Sequence, residues 1–183
     1  MSKRNERRVL RGVLAGAAAG LAAAWVMNQF QAGPGQKLQE AVQSDDEKIA
    51  RRVQQTQQQE SDKPSEDATM KTADAIVALV TGGVHLSTEA KQKGGPIVHY
   101  AFGAAMGGLY GGLAECSETV TSGMGTAFGT VLFAGADLVA VPAFKLSSPP
   151  SEWAPSSLVS PFVAHLVYGA TTELLRRLLR AVL

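Results

Sequence analysis

The chain has 183 residues, of which 45% are hydrophobic, and its 17 basic and 16 acidic residues give a formal net charge of +1. This balance, with no basic stripe interleaved with aromatic residues, argues against a nucleic-acid-binding protein. The single cysteine excludes an internal disulfide and a thiolate metal cluster. Mean hydropathy is only +0.03, but the apolar residues are segregated into four stretches, which is typical of a membrane protein with one long polar loop.

The first apolar stretch, residues 9–30, follows a basic tail at residues 1–8. It carries no charge after Arg11, and it is long enough to cross about 30 Å of hydrocarbon. A cleaved signal peptide is the competing interpretation, because a basic run precedes an Ala-rich stretch with small-residue cleavage sites. We favour a retained helix, because glycines at every fourth position form a packing face that a cleaved peptide would not need. These glycines are Gly12, Gly16 and Gly20.

A long polar loop, residues 31–94, separates the first apolar stretch from the second. Its Gln-rich part, residues 36–60, has a few apolar residues at helical spacing and is predicted to be either an exposed helix or disordered. Residues 68–86 predict an amphipathic helix whose apolar core is too short to span a bilayer. We expect this helix to lie against the membrane surface or against the other helices.

The second apolar stretch, residues 95–115, is rich in glycine. A helical wheel places most of its glycines on one half, together with His99 and Glu115, and its large apolar side chains on the other half. Small residues allow helix backbones to approach closely in lipid. We therefore expect a packing face, whose glycines are Gly103, Gly107 and Gly111.

The remaining elements follow the same scheme. They are a third apolar stretch at residues 122–144, an outer loop at 145–157, a fourth apolar stretch at 158–176 and a basic tail at 177–183. Each apolar stretch again has one small or polar face and one large apolar face. The polar faces carry Asp137 in the third stretch and His165 with Gly169 in the fourth.

The predicted fold is an all-α membrane protein. It is a four-helix transmembrane bundle with a long polar outer loop that contains one or two extra helices. Lys and Arg are concentrated in both terminal tails, and cytoplasmic flanks of membrane helices carry an excess of these residues. Four spans place both ends of the chain on one side, so we expect the N-terminus and the C-terminus to be cytoplasmic.

Three ionisable side chains, His99, Asp137 and His165, are expected to face the bundle interior near its outer end. An aspartate in hydrocarbon costs about 2.5–3.5 kcal/mol on insertion scales, and such residues mark a function or a pairing role. The group predicts either a hydrogen-bonded lock between helices or a proton-responsive site, because histidine titrates near neutrality. Two His and one Asp also suit a transition metal by type, but they lack local spacing. We therefore expect no metal and no cofactor.

A second charged group is expected at the inner end, where we interpret it as ion pairs at helix ends. Its members are Glu115, Glu173, Arg176 and Arg177. The sequence contains no G-x-S-x-G, P-loop, H-E-x-x-H or C-x-x-C motif. An enzyme is therefore not expected.

Two segments, HYAFGAAMGGLYGGLAE and HLVYGATTELLRR, together with the proline pair after LSS, resemble the YagU family of bacterial inner-membrane proteins. That family is defined by a domain of unknown function, and the resemblance covers roughly residues 68–180. It implies a multi-pass protein of the bacterial inner membrane with unsettled biochemistry, and some members are linked to acid resistance. The chain departs from the family in its Gln-rich loop and at Tyr168, where tryptophan is expected.

The functional expectation combines these observations. We expect an inner-membrane protein that contributes to acid tolerance or to proton or ion handling through the cluster of His99, Asp137 and His165. The alternative is a structural or accessory subunit that packs against other membrane proteins through its glycine-rich faces. The expected partners are the lipid bilayer and a homo-oligomer or membrane-protein complex, without nucleic acid.

Overall fold

The computed structural model describes residues 3–60 and 66–182, with the side chains of these ranges except those of residues 58–60. The outermost residues of both predicted tails, and residues 61–65 of the predicted outer loop, lie outside the described residues. In the described part of the chain the regular secondary structure is helical and no strand is present. The prediction of an all-α fold is thus confirmed for these residues.

The α-helices are α1 (Lys3–Ala32), α2 (Pro34–Val42), α3 (Asp45–Glu60), α4 (Ala68–Thr81), α5 (Thr88–Ala114), α6 (Thr126–Leu132), α7 (Val141–Ala143) and α8 (Val159–Val182). A π-helix, Phe133–Ala140, joins α6 to α7. Short 3-10 helices occur at Glu118–Gly125, Pro150–Glu152 and Pro155–Leu158.

Three helical segments in the described ranges are long and apolar enough to cross a membrane: Lys3–Ala32, Glu118–Ala143 and Pro155–Val182. Helix α5 has 27 residues and is long enough, but its Gly, His and Tyr residues lower its mean hydropathy and it is not one of the three. The chain is consistent with a membrane protein. The count of four spans stays a prediction.

Glycines bring α1 and α5 into close antiparallel contact. At each of these glycines a Cβ atom would overlap backbone or side-chain atoms of the other helix, so that only glycine allows this approach. The facing pairs are Gly12 with Gly111, Gly16 with Gly107, and Gly20 with Gly103. The predicted packing glycines of α1 and α5 therefore lie between two helices of the same chain.

Helix α8 packs against α1 and, through a second glycine contact, against α6. A Cβ atom on Gly169 would overlap the carbonyl oxygen of Gly125. The Tyr168 hydroxyl donates a hydrogen bond of 2.6 Å to the carbonyl oxygen of Gly103 and so joins α8 to α5. The small apolar core lies where these helices meet, and its buried members are Ala23, Ala24, Met27, Ala164 and Tyr168.

The third apolar stretch is not the unbroken helix predicted at 122–144. The chain kinks at residues 122–124, and φ is positive at Gly123, Met124 and Gly125, with values of 62°, 56° and 84°. Gly125 needs to be glycine for two reasons, because its φ is left-handed and because the Gly169 carbonyl oxygen occupies the place of a side chain. The regular helix therefore begins only at Thr126.

Helix α5 begins seven residues before the predicted start at 95 because Ser87 caps it. The Ser87 hydroxyl accepts a hydrogen bond of 3.3 Å from the Ala90 amide, which satisfies one of the unpaired donors of the first turn. Helix α4 ends earlier than the predicted residue 86, since Gly82 adopts the left-handed conformation with φ of 73°. Helix α4 packs against α5.

The Gln-rich segment, for which helix and disorder were both predicted, forms α2 and α3 in the structure. A capping box starts α3, because Ser44 and Glu47 each bind the other's backbone amide, at 2.8 and 3.3 Å. Gly35 at the start of α2 is buried against Phe30 and Ser160. The N-terminal part of this segment is therefore attached to the apolar helices.

Candidate functional site

A buried carboxylate, Glu173 on α8, is the centre of the charged group that the sequence predicts at one end of the helices. Its side chain is 0% exposed. It accepts hydrogen bonds from the Tyr110 hydroxyl at 2.8 Å, from Arg176 Nε and Nη2 at 2.8 and 3.1 Å, and from Arg177 Nε at 2.5 Å. These four residues form the Glu173 network. The network links α5 to α8 and leaves the carboxylate well supplied with donors.

A second carboxylate, Glu115 just after α5, ties three helices together at the same end. It accepts hydrogen bonds from Arg180 Nε and Nη2 at 2.6 and 3.2 Å. Arg176 Nη1 lies 3.6 Å and Arg8 Nε lies 3.7 Å from its carboxylate. The Arg8 guanidinium also donates to the Glu115 backbone carbonyl. We call Arg8, Glu115, Arg180 and the Glu173 network together the charged end.

The structure brings together all four charged residues proposed for this end, and it adds three that sequence reasoning did not place there. Arg180 joins because α8 continues to Val182 instead of ending at 176. Tyr110 joins through its hydroxyl, and its helical position close to the α5 glycines could have indicated this. Arg8 reaches Glu115 only because α1 runs antiparallel to α5, and sequence spacing does not reveal that arrangement.

The His–Asp cluster, defined as His99, Asp137 and His165, lies toward the other end of α8 and is loosely bonded. His165 is buried, and its Nδ1 atom lies 2.9 Å from the Pro161 carbonyl oxygen and 3.8 Å from Asp137 Oδ2. The longer distance exceeds that of a hydrogen bond. Asp137 and His165 are therefore neighbours at ion-pair distance without a direct hydrogen bond.

His99 contributes a buried nitrogen atom to this end of the bundle. Among the described residues its Nε2 atom has no hydrogen-bond partner. Its ring meets the ring of Tyr100 edge-on at 5.5 Å, and the Tyr100 hydroxyl accepts a hydrogen bond of 3.3 Å from Asn28. His99 lies within electrostatic range of Asp137. The structure therefore brings Asp137 and His165 together, whereas His99 forms no ion pair with Asp137 in the described residues.

Asp137 lies inside the π-helix, Phe133–Ala140. A π-helix places successive residues differently from an α-helix, and such segments are frequent at functional sites. No residue pattern in the sequence indicated it. In the described ranges no group of three or more His, Cys, Asp or Glu residues is arranged to hold a metal ion.

A third polar group, which the sequence did not indicate, braces α4 against the start of α5. Asp74 Oδ2 lies 2.9 Å from His85 Nδ1 and 3.3 Å from Lys91 Nζ, and Asp74 Oδ1 accepts a hydrogen bond of 2.6 Å from the Leu86 amide. The hydrogen bond with His85, helped by Leu86 and Lys91, lowers the pKa of Asp74 to about 2. Lys91 also binds Glu66 at 3.1 Å. This Asp74 brace lies outside the three segments that could span a membrane.

A comparison with protein-family models assigns the chain to a family. Residues 68–174, more than half of the chain, match the family model described as protein of unknown function DUF1440. No curated protein and no solved structure matches the chain. The matched range begins with α4 and ends inside α8, so it contains the His–Asp cluster, Tyr110 and Glu173. The chain belongs to the DUF1440 family of proteins of unknown function.

Proposed function

We propose that the chain is a four-span protein of the bacterial inner membrane with both termini in the cytoplasm. In support, α5 lies along α1 in the antiparallel sense and along α8 in the parallel sense, as an up-and-down bundle requires. Arg8, Arg177 and Arg180 meet at the charged end, which fits the excess of basic residues on cytoplasmic flanks. The resemblance to the YagU family agrees with this location.

The single cysteine offers a direct test of this topology. Cys116 is free and exposed at the charged end, so a membrane-impermeant maleimide should label it only after the inner membrane is permeabilised. The variant Cys116→Ser/Ser151→Cys moves the thiol to the predicted outer loop, and it should be labelled in intact cells. Labelling of Cys116 in intact cells would contradict the proposed orientation.

We propose further that the His–Asp cluster carries a proton-responsive function that contributes to acid tolerance or to proton or ion handling. The observations that carry this proposal are the buried, unpaired Nε2 atom of His99 and the Asp137–His165 pair, which is held at 3.8 Å without a hydrogen bond. A buried polar atom without a partner is unfavourable, and an ionisable group in a membrane segment indicates a functional site. Tyr100 and Asn28 are the neighbouring polar groups on α5 and α1.

Proton flux into liposomes provides the test. The purified chain is reconstituted into vesicles containing a pH-sensitive dye, and a pH gradient is imposed. The variant Asp137→Asn keeps the shape of the side chain and removes its charge, so it should abolish the flux. The control Thr130→Val lies in the same segment and loses only a hydrogen bond to its own helix. Equal flux in the wild-type chain and Asp137→Asn would refute the proposal.

The second proposal is a structural or accessory role in a homo-oligomer or membrane-protein complex. The glycines of α1 and α5 are occupied by contacts within the chain, so a partner would need another surface. The segment Glu118–Ala143 has such a surface. Only 17% of its most apolar stretch is buried inside the chain, against 39% and 33% in the other two candidate spans. Mass photometry after purification in mild detergent should then reveal a stoichiometric complex, whereas a monomer alone would contradict this role.

A further inference from the structure

An open cleft of about 490 Å³ at the charged end is lined almost entirely by arginine side chains. Four of them come from the first turns of α1, and one comes from the last turns of α8. The lining residues are Arg4, Asn5, Arg7, Arg8, Arg11 and Arg180. No acidic side chain lines the cleft, so it is a strongly positive concave surface between two helices.

Part of this positive charge is not neutralised within the described chain. Arg8 and Arg180 share the Glu115 carboxylate. Arg7 and Arg11 are exposed and form no hydrogen bond or ion pair with any residue that the structure describes. Because they are one helical turn apart, they face the same side of α1. Two adjacent guanidinium groups without a counter-charge favour an anionic ligand that can accept several hydrogen bonds.

The apolar surface beside the cleft favours a phospholipid over a soluble phosphate as the anionic ligand. Large apolar side chains on the same two helices are exposed beside it: Leu10 and Leu14 on α1 are each 57% exposed, and Leu178 on α8 is 59% exposed. These leucines begin the apolar part of α1 and end that of α8, in segments long and apolar enough to span a membrane. A ligand with a phosphate head and hydrocarbon chains would contact both the arginine side chains and the exposed leucines, whereas a soluble phosphate would contact only the arginine side chains.

We propose that this arginine cleft is a binding site for the phosphodiester headgroup of an anionic phospholipid, with the acyl chains lying along the exposed leucines. Basic pockets between membrane helices are suited to such headgroups, and each Lys or Arg near the surface contributes about 1 kcal/mol of attraction. The site is separate from the His–Asp cluster. It needs the chain to lie in a bilayer, but it does not need the chain to respond to protons.

Native mass spectrometry of the full chain in neutral detergent tests the site. Phosphatidylglycerol and phosphatidylcholine are added in equal amounts, and we expect one phosphatidylglycerol molecule to be retained per chain in clear preference to phosphatidylcholine. Arg7→Gln/Arg11→Gln should weaken phosphatidylglycerol binding roughly 25-fold, or about fivefold for each charge removed. Both side chains are exposed and unpaired in the described structure, so the variant should fold, which thermal unfolding checks.

A matched control removes the same charge elsewhere. Arg52→Gln/Lys93→Gln changes two exposed basic residues on α3 and α5, and it should leave phosphatidylglycerol binding within about twofold of the wild-type value. In a competition experiment, inorganic phosphate or glycerol phosphate is added to the lipid-bound chain. Neither should displace phosphatidylglycerol at comparable concentration.

Three outcomes would overturn the lipid site. They are equal retention of the two phospholipids, unchanged binding in the Arg7/Arg11 variant, and displacement by the soluble phosphates, which would assign the cleft to a soluble anion. Asp137→Asn should bind phosphatidylglycerol like the wild-type chain. Failure of this site and failure of the proton-responsive proposal are therefore distinguishable.

Discussion

The charged end and the His–Asp cluster differ in how completely their polar atoms are paired. At the charged end, the buried Glu173 carboxylate accepts hydrogen bonds from three side chains. In the His–Asp cluster, Asp137 lies 3.8 Å from its nearest imidazole nitrogen, and His99 Nε2 has no partner among the described residues. Both groups lie against α8, so the same helix carries one saturated and one unsaturated polar site.

This difference separates a structural role from a functional one. A fully paired buried network rigidifies the fold, whereas an incompletely paired one can change its protonation or its partner at lower cost. The Glu173 network of the charged end is therefore expected to determine stability, and the His–Asp cluster is expected to determine any response to protons. Variants in the first region should therefore lose stability, and variants in the second should lose the response to protons.

The largest effect is expected from Glu173→Ala. It leaves the buried Arg176 guanidinium and the Tyr110 hydroxyl without their acceptor, and breaking a buried ion pair costs about 3–5 kcal/mol. Unfolding in detergent, followed by circular dichroism, measures the change. Glu89→Ala is the control, because its pair with Lys93 is exposed and is worth about 0.3–0.5 kcal/mol. A loss at Glu173 no larger than at Glu89 would contradict the assigned structural role.

The next effect tests the helix approach on which the charged end depends. In Gly107→Ala the new Cβ atom would lie about 2.6 Å from the Gly20 Cα atom, so α1 and α5 must separate. We expect a loss of about 1–3 kcal/mol in the free energy of unfolding, as for other overpacked contacts. Gly135→Ala is the control because a Cβ atom there meets nothing within 4 Å. If both variants are equally stable, the close approach is not required.

The Asp74 brace extends the comparison to a paired site outside the candidate spans. The pKa of Asp74 falls from 3.8 to about 2 because the charged form is bonded to His85, Leu86 and Lys91. A lowered folded-state pKa contributes stability above pH 3.8, and this contribution is lost as the pH falls through about 2. Asp74→Asn should therefore speed hydrogen exchange in residues 82–87 at neutral pH, with a difference from wild type that shrinks as the pH falls through about 2 and vanishes below it.

The matched control for the brace is Asp46→Asn, which changes an exposed carboxylate on α3. It should leave exchange in residues 82–87 unchanged at every pH. A difference between wild type and Asp74→Asn that persists below pH 2 would show that the carboxylate charge is not the cause. The expected profile would also show that the Asp74 carboxylate keeps its charge down to about pH 2.

The sequence predicted the parts of this fold that depend on periodicity. The helical wheel of α5 separated its glycines from its large apolar residues, and these glycines lie against α1. It also placed His99 on the same half as the glycines. Small residues at a spacing of four lie on one face of a helix because of the helical repeat. The packing face could therefore be predicted without knowing the partner helix.

The features that sequence reasoning missed depend on contacts between distant residues or on local backbone geometry. The Asp74–Lys91 contact joins two helices whose separation along the chain carries no periodic pattern. The kink at Gly123 lies beside Gly125, whose backbone packs closely on Gly169 of α8. The π-helix around Asp137 is a local backbone geometry that no periodic pattern marks. Ser87 is the exception, since a serine followed by a helical run is a recognisable cap and could have given the true start of α5.

The smallest expected effect on stability is that of Asp137→Asn, and it tests the comparison most sharply. Its carboxylate has no hydrogen bond among the described residues and lies 3.8 Å from His165 Nδ1. Removing its charge breaks no hydrogen bond, so it should lower the free energy of unfolding far less than Glu173→Ala does. Thermal unfolding at pH 7 measures this, with Thr130→Val as the control. A loss as large as that of Glu173→Ala would identify the cluster as a lock between helices, because only a tightly paired carboxylate can carry that much stability.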